Sequence, residues 1–174
     1  MIVLVLGGTR SGKSAVSESM AARLAGVDEA VTYVATAWVD PGDADHAARV
    51  DAHRARRPAS WTTVECPEPG GLPDVLQEAD GVVLLDSLGT WVAGHPELDP
   101  DVGRLVAALG LRTAATVVVS EEVGLAPHAP TQVGRRFVDA LGEVNQAVSA
   151  AADHALLVVA GRAIVLPAPG DLPC

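Results

Sequence analysis

IVLVLGGTRSGKS, residues 2–14, contains a strand, a loop and the start of a helix in one short run. Ile2-Val3-Leu4-Val5-Leu6 is continuously apolar and rich in β-branched residues. That suits a strand of a parallel sheet, buried on both faces. KSAVSESMAARLA, residues 13–25, then places Ala15, Val16, Met20 and Leu24 on one side of a helix. Between them Gly7-Gly8-Thr9-Arg10-Ser11-Gly12-Lys13-Ser14 matches G-x-x-x-x-G-K-[ST], in the strand-before, helix-after context this motif requires. Glycines let successive backbone N–H groups turn inward around a phosphate, and the helix adds its positive end. Lys13 is expected to reach the β- and γ-phosphates of a nucleotide, and Ser14 to offer its hydroxyl to Mg²⁺. Of the 12 lysines and arginines in the chain, Lys13 alone is lysine. A compact ammonium fits inside such a loop where a planar guanidinium does not.

Working outward, apolar runs alternate with helical stretches. Val31–Ala35, Trp61–Val64, Gly81–Asp86, Thr116–Ser120 and Ala155–Ala160 read as strands. Residues 43–57, 72–78, 102–111 and 133–151 read as helices, and PEPGG at 67–71 as a turn. Residues 94–101 and 124–132 read as loops, and PAPGDLPC as a short frayed tail. The pattern predicts one α/β domain over residues 1–174, with a mostly parallel central sheet flanked by helices. A phosphate loop of the kind at residues 7–14 needs a carboxylate on a neighbouring strand to hold Mg²⁺ or its waters, and Asp86, ending GVVLLD, is the candidate. A capping or loop aspartate is the plainer reading of the same residue.

The chain has 174 residues and a formal net charge of −10, with 49% hydrophobic residues. The acidic balance argues against nucleic-acid or anionic-membrane partners, both of which need a basic face. No run approaches the length of a membrane helix, and the N-terminus lacks the basic flank of a signal peptide. The expectation is a soluble cytoplasmic protein. Cys66 and Cys174 have no metal-ligand spacing and suggest ordinary thiols.

AARVDAHRARRPASW, residues 47–61, departs from that acidic background. Arg49, His53, Arg54, Arg56 and Arg57 crowd together, and Arg49 and His53 share a face if the segment is helical. A neutral histidine among arginines is suited to attack phosphorus while the arginines offset charge on the oxygens. A solvated basic helix is the alternative.

Taken in order, GGTRSGKS (7–14), YVATA (33–37), AARVDAHRARRPASW (47–61), TVE (63–65), LLDSLGTWV (84–92), VVVSEEVG (117–124), GRRFVDALGEVNQAVSAAAD (134–153) and LLVVAG (156–161) resemble the bifunctional adenosylcobinamide kinase/adenosylcobinamide-phosphate guanylyltransferase family. The R-x-x-x-H-x-x-x-R-P-x-x-W and F-x-D-x-x-G-x-x-N-Q blocks are its specific part. The resemblance implies a RecA-like P-loop domain, commonly a homotrimer. It implies phosphorylation of the aminopropanol hydroxyl of adenosylcobinamide by ATP or GTP. GTP then guanylylates a histidine, and GMP passes to adenosylcobinamide phosphate to give adenosylcobinamide-GDP. His53 matches the histidine that carries GMP, and Lys13 and Ser14 match the phosphate and Mg²⁺ ligands. Ala35, Thr36, Ala37, Arg54, Ala55, Arg56, Arg57, Glu65 and Asp86 fall where the family contacts nucleotide. Ala52 stands where some relatives carry a second histidine.

Without the resemblance, the motifs also admit a monofunctional small-molecule kinase or a nucleotide-switched binding module. Glu121 and Glu122 follow a strand at the edge where open α/β sheets bind ligands. Helping a base or Mg²⁺, or capping a helix, both fit them. Phe137 reads as packing and Asn145 as a helix-surface hydrogen bond. His46, for all its helical register with His53, reads as a surface residue. His95, His128 and His154 read as loop or helix-end residues.

Overall fold

The computed structural model describes residues 1–26, 30–37, 57–66, 68–125 and 127–172. In chain order the elements are β1 (Ile2–Gly7), α1 (Lys13–Ala25), β2 (Val31–Ala35), β3 (Thr62–Glu65), α2 (Leu72–Glu78), β4 (Val82–Asp86) and α3 (Leu88–Gly94). They continue with α4 (Val102–Leu111), β5 (Thr116–Glu121), α5 (Gln132–Ala151), β6 (His154–Val159) and β7 (Arg162–Leu166). The expected helix over 43–57 lies outside the described residues, apart from Arg57, which is not helical.

The seven strands form one sheet in the order β3-β2-β4-β5-β1-β6-β7. Every neighbouring pair is parallel except β6 with β7. Strand periodicity divides the core in two. Ile2, Leu4 and Leu6 of β1 face one side, where they join Leu72, Leu88, Trp91, Leu105, Leu109, Leu141 and Val144 from α2 to α5. Val3 and Val5 face the other, against Ala21 and Ala25 of α1. Both faces are covered, which is why these strands read as unbroken apolar runs.

Two elements were not anticipated from the sequence. Helix α3 begins at Ser87, whose N–H donates to Thr90 Oγ1 at 3.4 Å, half of a reciprocal capping box. Its buried residues Leu88, Trp91 and Val92 follow helical spacing. The S-x-x-T signal at 87–90 was present but short. Strand β7 is exposed along its whole length and shows no alternation. It forms because Ala160 (φ 51°) and Gly161 (φ 75°) make a two-residue hairpin turn with both φ positive. That hairpin also touches the loop after β1: Gly161 N–H donates to Ser11 O at 2.7 Å.

Candidate active site

All parallel strands point the same way, so their C-terminal ends share one edge of the sheet. Gly7, Ala35, Glu65, Asp86 and Glu121 are the last residues of β1, β2, β3, β4 and β5. The loop from Gly8 to Gly12 rises from this edge and runs into α1. Gly8, Thr9 and Arg10 are exposed; Ser11, Gly12, Lys13 and Ser14 are half-buried. The loop is closed by Ser11 N–H donating to Gly8 O at 3.2 Å and Val16 N–H to Gly12 O at 3.1 Å. Gly12 sits at φ 95°, and a Cβ there would come within 3.0 Å of Gly161 Cα. Glycine is required on both counts. Lys13 Nζ lies back over the loop, 3.5 Å from Gly8 O and 3.5 Å from Glu121 Oε1.

Asp86 and Arg57 are joined through the chain's one tyrosine. Tyr33 on β2 is buried, and its hydroxyl donates to Asp86 Oδ2. Burial, reinforced by the Asp86 charge, pushes the Tyr33 phenol well above its ordinary value, so it remains a donor. The Arg57 guanidinium stacks over the Tyr33 ring: its carbon lies 3.3 Å from the ring centroid, and Nη1 donates to Thr63 Oγ1 at 3.2 Å. An arginine from the basic cluster is thereby fixed beside the Asp86 strand end. The sequence reading did not single out Tyr33; its place in the YVATA stretch was the available signal.

Thr36 turns out to be an internal tie. It is buried, its Oγ1 donates to Ser87 O at 2.6 Å, and it accepts from Ser87 N–H at 3.0 Å. Thr36 N–H donates to Asp86 O at 3.2 Å. These bonds lock the end of β2 to the turn that follows Asp86. Ala35 and Ala37 flank it, half-buried, and Glu65 is exposed at the end of β3. His53, Arg54, Ala55 and Arg56 lie outside the described residues, as do His46 and Arg49.

Glu121 does more than either role expected of it alone. Its Oε2 accepts from Gly89 N–H and Ser87 Oγ, both at 3.1 Å, at the start of α3, while Oε1 faces Lys13. Asn145 is not a surface residue: it is buried, its Oδ1 accepts from Ser120 Oγ at 2.6 Å, and its Nδ2 donates to Glu121 O at 3.1 Å. Phe137 packs against the core as expected. His128 and His154 are exposed, whereas His95 stands edge-on to Trp91 with ring centroids 5.0 Å apart. Cys66 is a free, buried thiol whose pKa is raised by burial and by Glu68.

An ammonium in a glycine loop and a hydroxyl at the helix start are suited to a nucleotide's phosphate oxygens, whereas the strand-end carboxylate, itself an anion, is suited to a cation that accompanies them. The oxygen donors of Ser14 and Asp86 suit a hard divalent cation carried with those phosphates. Among the described residues, no group of three His, Cys, Asp or Glu side chains is arranged to hold a metal ion.

The family model described as cobinamide kinase / cobinamide phosphate guanyltransferase matches residues 3–166. The chain belongs to this family. It is 38% identical over 177 residues to the bifunctional adenosylcobalamin biosynthesis protein CobP of Pseudomonas aeruginosa, covering 97% of each chain. It is 35% identical over 184 residues to the corresponding CobU of Salmonella typhimurium, covering 92% of this chain and 97% of that one. Among solved structures it resembles a KaiC-like protein of Pyrococcus horikoshii, with TM-score 0.54 and 14% identity over 90% of this chain and 69% of that one. The flagellar accessory protein FlaH of Methanocaldococcus jannaschii gives TM-score 0.54 and 14% identity over 95% and 77%. The fold is that of RecA-like P-loop ATPases, as the resemblance implied. Among the described residues no helix is long and apolar enough to cross a membrane.

Proposed function

We propose that this family member carries both activities of the bifunctional enzymes it resembles. In the first, the aminopropanol hydroxyl oxygen of adenosylcobinamide bonds to the γ-phosphorus of ATP or GTP. The bond to the β–γ bridging oxygen breaks, the hydroxyl proton is released to solvent, and the nucleoside diphosphate leaves. In the second, a ring nitrogen of His53 bonds to the α-phosphorus of GTP and pyrophosphate departs. A phosphate oxygen of adenosylcobinamide phosphate then displaces the histidine, giving adenosylcobinamide-GDP and restoring His53.

The observation that carries this reading is the convergence of Lys13, Asp86 and Arg57 at one sheet edge, in a chain matched to a two-activity family over residues 3–166. Gly7 to Ser14 cradle the phosphates, with Lys13 offsetting the charge of the transferred group. Mg²⁺ held by Ser14 and Asp86 would neutralise phosphate charge there. Tyr33 keeps the Asp86 carboxylate in a fixed orientation. Ala35, Thr36, Ala37, Arg54 to Arg57 and Glu65 border the nucleotide. Thr36 acts by fixing the backbone, since its hydroxyl is taken up internally. The protein works as a single catalytic domain, assembled as a cytoplasmic homotrimer, with no nucleic-acid partner.

The test uses GTP labelled at the α-phosphorus, with Mg²⁺, on the wild type and on His53→Ala. Label bound to the wild type that is stable in alkali, lost in acid and absent from the variant is the expected result. An unlabelled wild type with nucleotide bound would overturn the guanylyltransferase half. Phosphorylation of adenosylcobinamide would then decide between a monofunctional kinase and a binding module.

A further inference from the structure

We propose that Glu121 is a positioning residue for the phosphate-loop lysine, braced from the opposite face of the sheet by Asn145. The inference rests on the nucleotide-binding reading of Lys13. Glu121 ends β5, the strand paired with β1 on one side, and in register it lies beside Gly7, where the loop begins. Glu122 N–H donates to Gly7 O at 3.2 Å, tying the two strand ends together.

Three elements then meet on this one residue. Asn145 of α5 fixes its backbone through Glu121 O (3.1 Å) and the preceding residue through Ser120 Oγ (2.6 Å). The start of α3 fixes one carboxylate oxygen through Ser87 Oγ and Gly89 N–H, each at 3.1 Å. The approach is so close that a Cβ on Gly89 would stand 2.1 Å from Oε2. The other oxygen is left facing Lys13 Nζ at 3.5 Å, where the lysine side chain is only 12% exposed.

A lysine has four rotatable bonds and is held in one place only by what surrounds its ammonium. Here the anchor is a carboxylate held at Oε2 by the start of α3, on a residue whose main-chain carbonyl is held by Asn145, so that Oε1 is presented to Nζ. The anchored charge restrains Nζ over the loop, so turnover gains from a lysine already in position. The same negative charge works against the arrival of a polyanion. Removing it therefore has two opposite effects: nucleotide binds more tightly and is turned over more slowly. Structural damage to the site lowers both together, so the split separates the two explanations.

The experiment compares wild type, Glu121→Gln, Asn145→Ala and the double variant. It measures the dissociation constant for magnesium-ATP by calorimetry, kcat for adenosylcobinamide phosphorylation, and the thermal midpoint. Glu121→Gln keeps an acceptor for Gly89 N–H and removes the charge, leaving an amide N–H₂ where Oε1 faced Lys13. The expected result is a fall in kcat of about tenfold or more, with nucleotide affinity higher than wild type. Asn145→Ala is expected to lower kcat about threefold, and to add nothing further in the Glu121→Gln background, because both act through the same side chain. Nucleotide affinity unchanged or lost, kcat within about twofold of wild type, or fully additive losses would each overturn the proposal. If the wild type does not phosphorylate adenosylcobinamide, the kinase reading fails separately. The binding arm then decides: tighter magnesium-ATP binding by Glu121→Gln supports the role, and unchanged or weaker binding overturns it.

Discussion

Gly89→Ala sets two calculable effects against each other. Gly89 is the second residue of α3, and replacing glycine by alanine in a helix ordinarily stabilises by about 1 kcal/mol. Here the new methyl would stand 2.1 Å from Glu121 Oε2, far inside contact distance. Glu121 is a flexible side chain and can swing away, so the cost is the bonds it abandons. It leaves Gly89 N–H and Ser87 Oγ, both at 3.1 Å. A hydrogen bond to a charged group contributes about 1.5–3 kcal/mol. Because the Glu121 side chain is 27% exposed and regains water when displaced, the lower end applies to each bond. The loss is then about 3 kcal/mol against a gain of about 1, a net destabilisation of about 2 kcal/mol. In a chain of this size that lowers the thermal midpoint by about 4–8 °C. Gly142→Ala is the matched control, since Gly142 lies within α5 and a Cβ there meets nothing within 4 Å. It is expected to raise the midpoint by about 2–4 °C. Both are read by circular dichroism without nucleotide. A Gly89→Ala protein at least as stable as wild type, alongside a stabilised Gly142→Ala, would refute the anchoring of Glu121 on α3.

Two further outcomes follow from groups away from the site. Arg112 directs its guanidinium at three main-chain carbonyls and one hydroxyl: Nη1 donates to Leu76 O and to Ala79 O (2.8 Å), Nη2 to Gly81 O (2.7 Å), and Nε to Thr116 Oγ1 (2.9 Å). Arg112→Ala is expected to cost about 3–5 kcal/mol in urea unfolding, with Arg112→Lys recovering only part, and a loss below about 1 kcal/mol would contradict this. Burial against Trp91 holds the His95 pKa below its ordinary value, with Asp99 only partly opposing. As pH falls through the ordinary histidine range near 6.5, the unfolded chain takes a proton before the folded one does. His95 thus contributes stability above that range, which is lost on acidification. Wild type minus His95→Gln stability should decline from pH 7.5 towards 5.5, as read by urea midpoints in that series; a flat or rising difference would contradict the burial argument.

Local chemistry made much of the site readable in advance. The glycine loop, Lys13 and Ser14 follow each other in sequence, and Asp86 ends an apolar run, so the strand–loop–helix rule and strand burial sufficed to find them. Helix α4 follows its hydrophobic spacing, burying Leu105, Ala108 and Leu109. Helix α1 instead buries the small residues Ser17, Ala21 and Ala25, leaves Val16, Met20 and Leu24 half-buried and exposes Ala15, because its close approach to the sheet admits only small side chains at the centre of the contact. Strand β7 was not readable because an edge strand with both faces exposed shows no alternation, and its turn uses Ala160 where glycine or asparagine is the stronger signal. Asn145 looked like a surface residue because its partners, Ser120 and Glu121, are more than twenty residues away in the chain. Tyr33 was passed over for the same reason: its partner Asp86 is remote in sequence.

By itself the sequence determined the class of fold, the phosphate loop and the family, because each depends on residues close together in the chain or on an ordered set of motifs. Only the tertiary structure decided how the strand ends are joined. Parallel packing brings Asp86 beside Tyr33, and Glu121 between Lys13, Gly89 and Asn145. Those contacts depend on sheet order and register, and a side chain's partner across the sheet is set by where neighbouring strands fall.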